Sequence, residues 1–173
     1  MMESRSCFDL DNPFWRFSLR VYDIAEVAKE CLELQRTDAI NINMLLFCAW
    51  MAASHRTALI ISEVRSIESN IRHWHETTVL PLRKVREQLK SASGIQHQAV
   101  QAFRHQVLAT ELSAEQIEQA LLFEQAKQLP PRHDDGAVRD IIVRNVSKLM
   151  RTGEIGGSIS ALISASLSAA RAV

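Results

Sequence analysis

Cysteine is scarce in this 173-residue chain: Cys7, Cys31 and Cys48 are the only three, and none is spaced as C-x-x-C. An odd number without paired spacing speaks against a disulfide framework or a zinc ribbon, and Cys31 and Cys48 sit in apolar helical runs that suit reduced core thiols. No apolar run approaches the roughly 18 residues of a transmembrane helix, and the opening Met-Met-Glu-Ser-Arg-Ser-Cys lacks a stretch of signal-peptide length. Neither sign of charge dominates, since 20 basic residues meet 20 acidic ones. That balance removes the simplest electrostatic argument for a partner such as nucleic acid or an anionic membrane. Catalytic signatures are missing too: there is no G-x-S-x-G, no glycine-rich phosphate loop and no H-E-x-x-H. A cytoplasmic protein without a cofactor is the expectation, and catalytic residues are not identifiable from spacing.

What is present is apolar content, 47% of the chain, enough for one compact domain. Its periodicity is helical throughout. Asn12 and Pro13 form a cap and first-turn pair, so a helix should start at Pro13. Ile24, Val27, Ala28, Cys31 and Leu32 mark one face of a second helix, with a division near Asp23. Thr37 to Asn43 is rich in capping residues and precedes the run Met44 to Ala53, apolar on all sides, which predicts a central buried helix. Helical pattern continues from Thr57 to about Lys90, where Pro81 predicts a kink or a boundary. Ser91-Ala92-Ser93-Gly94 reads as a break. The segment from about Ile95 to Leu129 is one helix or two, because Ser113-Ala114-Glu115-Gln116 has the form of a capping box.

Pro130-Pro131 ends that segment. Val138, Ile141, Ile142, Val146 and Leu149 then mark an amphipathic helix, and Thr152 to Gly157 links it to a final Ser/Ala-rich helix. With no strand-type alternation of useful length, the fold class is all-α: a tail over 1–12, a compact multi-helix domain over 13–129, and a C-terminal two-helix appendage over 130–173.

Phe14-Trp15-Arg16-Phe17-Ser18-Leu19 with Tyr22, then Ala28, Cys31-Leu32, Leu34-Gln35, Asn43, Leu45-Leu46-Phe47-Cys48 and Trp50, form a specific combination. Trp74, Val79, Pro81-Leu82-Arg83, Arg86, Leu89-Lys90, Glu111-Leu112 and Glu118 to Leu122 extend it. Together they resemble DUF2390, a bacterial family of uncharacterised helical proteins, over roughly residues 14 to 127. Asp23-Ile24-Ala25 stands where that pattern usually breaks at Pro-Gly. The resemblance implies a helical fold and transfers no chemistry.

Candidate sites come from the residues themselves. His73-Trp74-His75 is conspicuous, but side chains two apart on a helix diverge and do not readily chelate one ion. The expectation there is a buried Trp74 flanked by partly exposed histidines. His97, Gln101 and His105 share a face but offer an incomplete ligand set, so no metal site is expected. Residues 65 to 105 carry seven basic against three acidic side chains. Arg72, Arg83, Lys84, Arg86 and Lys90 are the candidates for phosphate contact, with Trp74 for stacking on a base. Residues 111 to 135 are acidic on balance, which suits helix pairing. Asp38, Asn41 and Asn43 fit capping and turn chemistry as well as a polar site. Phe14, Trp15 and Phe17 read as a core wedge.

The last helix places Ile159, Leu162, Ile163, Leu167, Ala170 and Val173 on one side and Ser160, Ser164, Ser168 and Arg171 on the other. Its apolar arc, Ile159, Leu162, Ile163 and Leu167, is the candidate interaction surface for the protein's own domain, a partner protein, a second copy or a membrane surface. The first functional reading is therefore a helical interaction or adaptor module, self-association included. Nucleic-acid association through the basic segment is the second. An enzyme of unidentified reaction is the third, and it would be favoured by a deep pocket joining polar residues of the first and third helical segments.

Overall fold

The computed structural model describes residues 9–91 and 98–171, and these residues are helical with no strand among them. The helices are α1 (Pro13–Tyr22), α2 (Ala25–Asp38), α3 (Ile42–His55), α4 (Ile61–Trp74), α5 (Leu80–Ser91), α6 (Gln98–Gln128), α7 (Val138–Ser147) and α8 (Ser160–Ala170). Cys7, the expected break at residues 92–94, His97 and Val173 lie outside the described residues.

α3 is the axis of the fold. Every residue from Asn43 to Ala52 is buried, as expected of a run apolar on all sides. It packs against α1, α2, α6, α7 and α8. Midway along it Phe47 and Trp50 meet Phe14 of α1 in an aromatic wedge, with Phe14 edge-on to Phe47 at 5.6 Å between ring centroids. Asn12 caps α1 by accepting from the Trp15 N–H at 2.9 Å. Ala39 ends α2 with a left-handed φ of 54°, and this sharp stop sets Asn41 to cap α3.

Two helix boundaries that the sequence leaves open are settled by the fold. Pro81 falls in the first turn of α5, directly after the irregularity expected near it. The rod from Ile61 to Ser91 is continuous, with one widened π turn over His75–Val79 in which the Leu80 N–H reaches back to the His75 carbonyl. Pro81 has no N–H to offer Thr77 one turn earlier, and the wide turn just upstream absorbs the irregularity. The segment before Leu129, one helix or two by its sequence, is one: α6 runs unbroken from Gln98 to Gln128. Ser113 donates its hydroxyl to the Ala109 carbonyl at 2.9 Å instead of capping a new helix, and Glu115 turns to Arg83. α6 packs antiparallel along the rod: Asn70 meets Gln125, His75 meets Glu118 and Arg86 meets Glu111.

α7 and α8 share the core with α1–α3. Ile141, Ile142 and Val146 of α7 and Leu162 of α8 are completely buried within it. Asn145 ties α7 to the end of α3: Oδ1 accepts from the Leu59 N–H at 2.9 Å, and Nδ2 donates to the carbonyls of Thr57 and Cys48. α8 is fixed at its N-terminus by the Glu30 carboxylate, which accepts from the N–H groups of Ala161 and Leu162 and from the hydroxyl of Ser158. No helix among the described residues is long and apolar enough to cross a membrane.

Candidate functional site

Where α1, α2, α3, α5 and α6 meet they enclose a cavity of about 380 Å³. That volume lies in the range of small-molecule sites. Its lining repeats at helical spacing: Trp15, Ser18, Leu19 and Tyr22 come from α1, and Leu108, Glu111, Leu112, Glu115 and Gln119 come from α6. α3 contributes Ile42, Asn43 and Leu46, and α5 contributes Arg83 and Arg86. Apolar side chains dominate the wall, and Leu19, Leu32 and Leu112 are about half exposed at its mouth.

A second cavity of about 470 Å³ lies beside it, lined by Asn41, Arg72, His75 and Glu76 among others, and the two share Gln35, Arg83 and Glu87. Between them stands Glu118, which is 0% exposed. Its carboxylate accepts from the side-chain amides of Asn41 and Asn43, and His75 Nδ1 lies 3.1 Å from its Oε2. Asn41 also caps α3 through its Oδ1, which takes the Asn43 N–H at 2.8 Å. Asn41 thus caps α3 and, with Asn43, joins a buried polar network around Glu118.

From Asn43 the network runs on into the first cavity. With Asn43 Nδ2 given to Glu118, its Oδ1 accepts from Gln119 Nε2 at 2.8 Å. The Gln119 Oε1 is thereby left buried with no hydrogen-bond partner among the described residues, and Ser18 Oγ and Arg83 Nη1 are in the same condition. All three residues line the first cavity. Ser18 and Gln119 are each 3% exposed. An unpaired buried polar atom costs about 1–3 kcal/mol, so three on residues that line one cavity call for an explanation. Asn145, equally buried but fully paired, shows the structural alternative.

The remaining guanidinium nitrogens are spoken for. Arg83 donates through Nε to Glu111 at 3.1 Å and through Nη2 to Glu115, and Arg86 also donates to Glu111. Burial works to lower the Arg83 value, but Glu115 and Glu111 outweigh it and hold the guanidinium above its ordinary value. Burial also raises the Glu115 carboxyl, which Arg83 only partly offsets. Tyr22, half-buried at the same wall, is raised by burial and by the neighbouring Cys31 and Glu115.

The basic residues that stand out in the sequence do not form one face. Arg83 and Arg86 turn inward to the carboxylates of α6, Lys84 and Lys90 point outward, and Arg72 edges the second cavity. Trp74 is half-buried rather than buried, its indole N–H donated to the Ala114 carbonyl at 3.0 Å. His73 is exposed while His75 enters the network, since neighbours two apart on a helix diverge. Among the described residues no group of three or more His, Cys, Asp or Glu is placed to hold a metal ion. On α8, Ile159, Leu162 and Ile163 are buried against the domain and Leu167 is half-buried on it.

Ser18, Tyr22 and Gln119 belong to no motif that signals a binding site. The one signal in the chain is the spacing of Glu111, Glu115, Glu118 and Gln119 along one face of a long helix, a polar stripe where a packed helix should be apolar.

No curated protein and no solved structure matches the chain. Residues 13–122 match the family described as "Protein of unknown function (DUF2390)", a span that contains every residue lining the two cavities, from Trp15 to Gln119. By that match the chain belongs to the DUF2390 family.

Proposed function

We propose that this protein binds a small amphipathic molecule in the cavity between α1, α3, α5 and α6. One observation carries the reading: the largely apolar lining of one cavity includes Ser18, Arg83 and Gln119, on three different helices, each of which holds a buried polar atom without a partner among the described residues. A bound molecule toward which these side chains turn supplies the missing hydrogen bonds. The cavity also joins polar residues of the first and third helices, Ser18 and Asn43, the condition under which a ligand or substrate site is favoured over a plain scaffold.

The adaptor reading has less support, because the apolar arc of α8 is spent inside the protein. The nucleic-acid reading is weakened in the same way by the engagement of Arg83 and Arg86 with Glu111 and Glu115. Ligand-observed NMR with a fragment library tests the proposal, using Leu112→Trp to obstruct the mouth at a side chain that is 49% exposed. Fragments should bind the parent protein and lose binding in the variant. Absence of any fragment binding, or binding indifferent to Leu112→Trp, overturns it. Salt-sensitive oligonucleotide binding that is lost on replacing Arg72, Lys84 and Lys90 would favour the nucleic-acid reading instead.

A further inference from the structure

We propose that the second cavity is a proton-transfer site, in which His75 takes a proton at Nε2 from a small uncharged acid and Glu118 positions its ring. His75 Nδ1 lies 3.1 Å from Glu118 Oε2 and 3.0 Å from Asn41 Nδ2, so it either donates to the carboxylate or accepts from the amide. The surrounding network decides between the two. Asn41 spends its Oδ1 on the Asn43 N–H, and Asn43 spends its Oδ1 on Gln119 Nε2, so both turn their amide N–H groups to Glu118. A carboxylate that accepts from amides at both oxygens accepts from Nδ1 as well. Were Nδ1 to accept from Asn41, two lone pairs would face each other at 3.1 Å. The neutral ring therefore carries its proton on Nδ1 and leaves Nε2 bare.

Nε2 is within reach of a ligand. The His75 side chain is 15% exposed and lines the cavity of about 470 Å³. Nε2 makes no hydrogen bond to the described residues, and it is not among the side-chain atoms buried without a partner, so it opens to the cavity. Glu118 behind it is completely buried, and a carboxylate so placed fixes the ring and stabilises the imidazolium that forms when Nε2 gains a proton. His75 also begins the π turn, a rare form of helix that concentrates at functional sites.

The charged residues of this lining are Glu68, Glu76 and Glu87 against Arg72 and Arg83, a balance that disfavours a substrate arriving as an anion. Arg83 is committed to Glu111 and Glu115, Glu68 is paired with Arg65, and Glu87 lies 3.9 Å from Arg86. Arg72, which has no ion pair among the described residues, stands three positions before His75 on the same helix face, whereas Glu76 is its sequence neighbour and diverges from it. The substrate class is thus a neutral C–H or O–H acid. Its proton passes to Nε2, the bonding pair stays on the conjugate base facing Arg72, and the imidazolium later returns the proton.

Two measurements on the full chain test this, and neither depends on a ligand in the first cavity. Long-range proton–nitrogen NMR, at a pH where the ring is neutral, should show His75 protonated at Nδ1. A neutral ring protonated at Nε2 overturns the proposal, and this readout needs no variant. The second probe is a nitrobenzisoxazole, a neutral C–H acid: loss of the ring proton to a base forms a nitrile as the N–O bond breaks, and the phenolate released is followed by absorbance. The parent should open it about tenfold or more faster than His75→Gln, with Glu118→Gln in between. Equal rates for parent and His75→Gln overturn the proposal, and a Glu118→Gln variant as fast as the parent overturns the positioning role.

Discussion

Replacing Ser18 with alanine should make this protein more stable and, if the cavity binds as proposed, weaken that binding. Ser18 sits in the middle of α1 with its hydroxyl buried and without a partner. Removing an unpaired buried hydroxyl relieves about 1–2 kcal/mol of desolvation penalty. Alanine adds a few tenths through its higher helix propensity, about 0.3–0.5 kcal/mol at such a position. The lost oxygen takes with it van der Waals contacts of only about 0.1–0.2 kcal/mol each. The net gain should be about 1–2 kcal/mol. For a chain of this length each kcal/mol moves the midpoint by about 2–4 °C, so thermal unfolding by circular dichroism should shift upward by about 2–8 °C. In the same variant, the affinity of fragments that Leu112→Trp displaces should fall about threefold to tenfold, the worth of one neutral hydrogen bond. A lower melting temperature would mean that the hydroxyl has a structural partner. A higher one with unchanged affinity would mean that it does not face the ligand. Either result refutes the reasoning. This opposition of stability and binding is what a site with unpaired polar atoms should show.

Leu162→Asp places a charge on a completely buried α8 position. It should cost about 3 kcal/mol or more in urea unfolding, and a variant as stable as the parent would show that α8 is not docked in solution. Asn145→Ala strands the Leu59 N–H and the Thr57 and Cys48 carbonyls, so a loss of about 3 kcal/mol is expected by the same assay. Glu30→Gln tests the α8 cap through pH. Burial tends to raise the Glu30 carboxyl, yet the Leu162 N–H, the Ser158 hydroxyl and the Ala161 N–H outweigh it and hold its folded value below the ordinary one. A lowered carboxylate stabilises the fold above its ordinary range and loses that contribution as pH falls through the lowered value. Glu30→Gln should therefore melt below the parent at neutral pH, with the gap closing in acid. A gap constant with pH would contradict the assignment.

The helical architecture was written in local pattern. Asn12-Pro13 starts α1 because a cap and a first-turn proline act within one turn, and α3 is central because a run apolar on every side has nowhere else to go. Local rules left the form of the chain open at Pro81 and Ser113, and a neighbour decided each case: a π turn upstream took up the proline, and packing along the rod kept α6 continuous. The site was almost silent in the sequence. Arg83 and Arg86 looked like phosphate contacts until the fold set Glu111 and Glu115 against them, 25 to 32 positions further along. Sequence alone determined which helices would form and that α3 would be buried, since periodicity and capping depend on residues a few positions apart. Only the tertiary structure decided that Ser18, Arg83 and Gln119 would share one cavity with an unpaired atom each, because whether a polar group is satisfied depends on what five helices bring to it from distant parts of the chain.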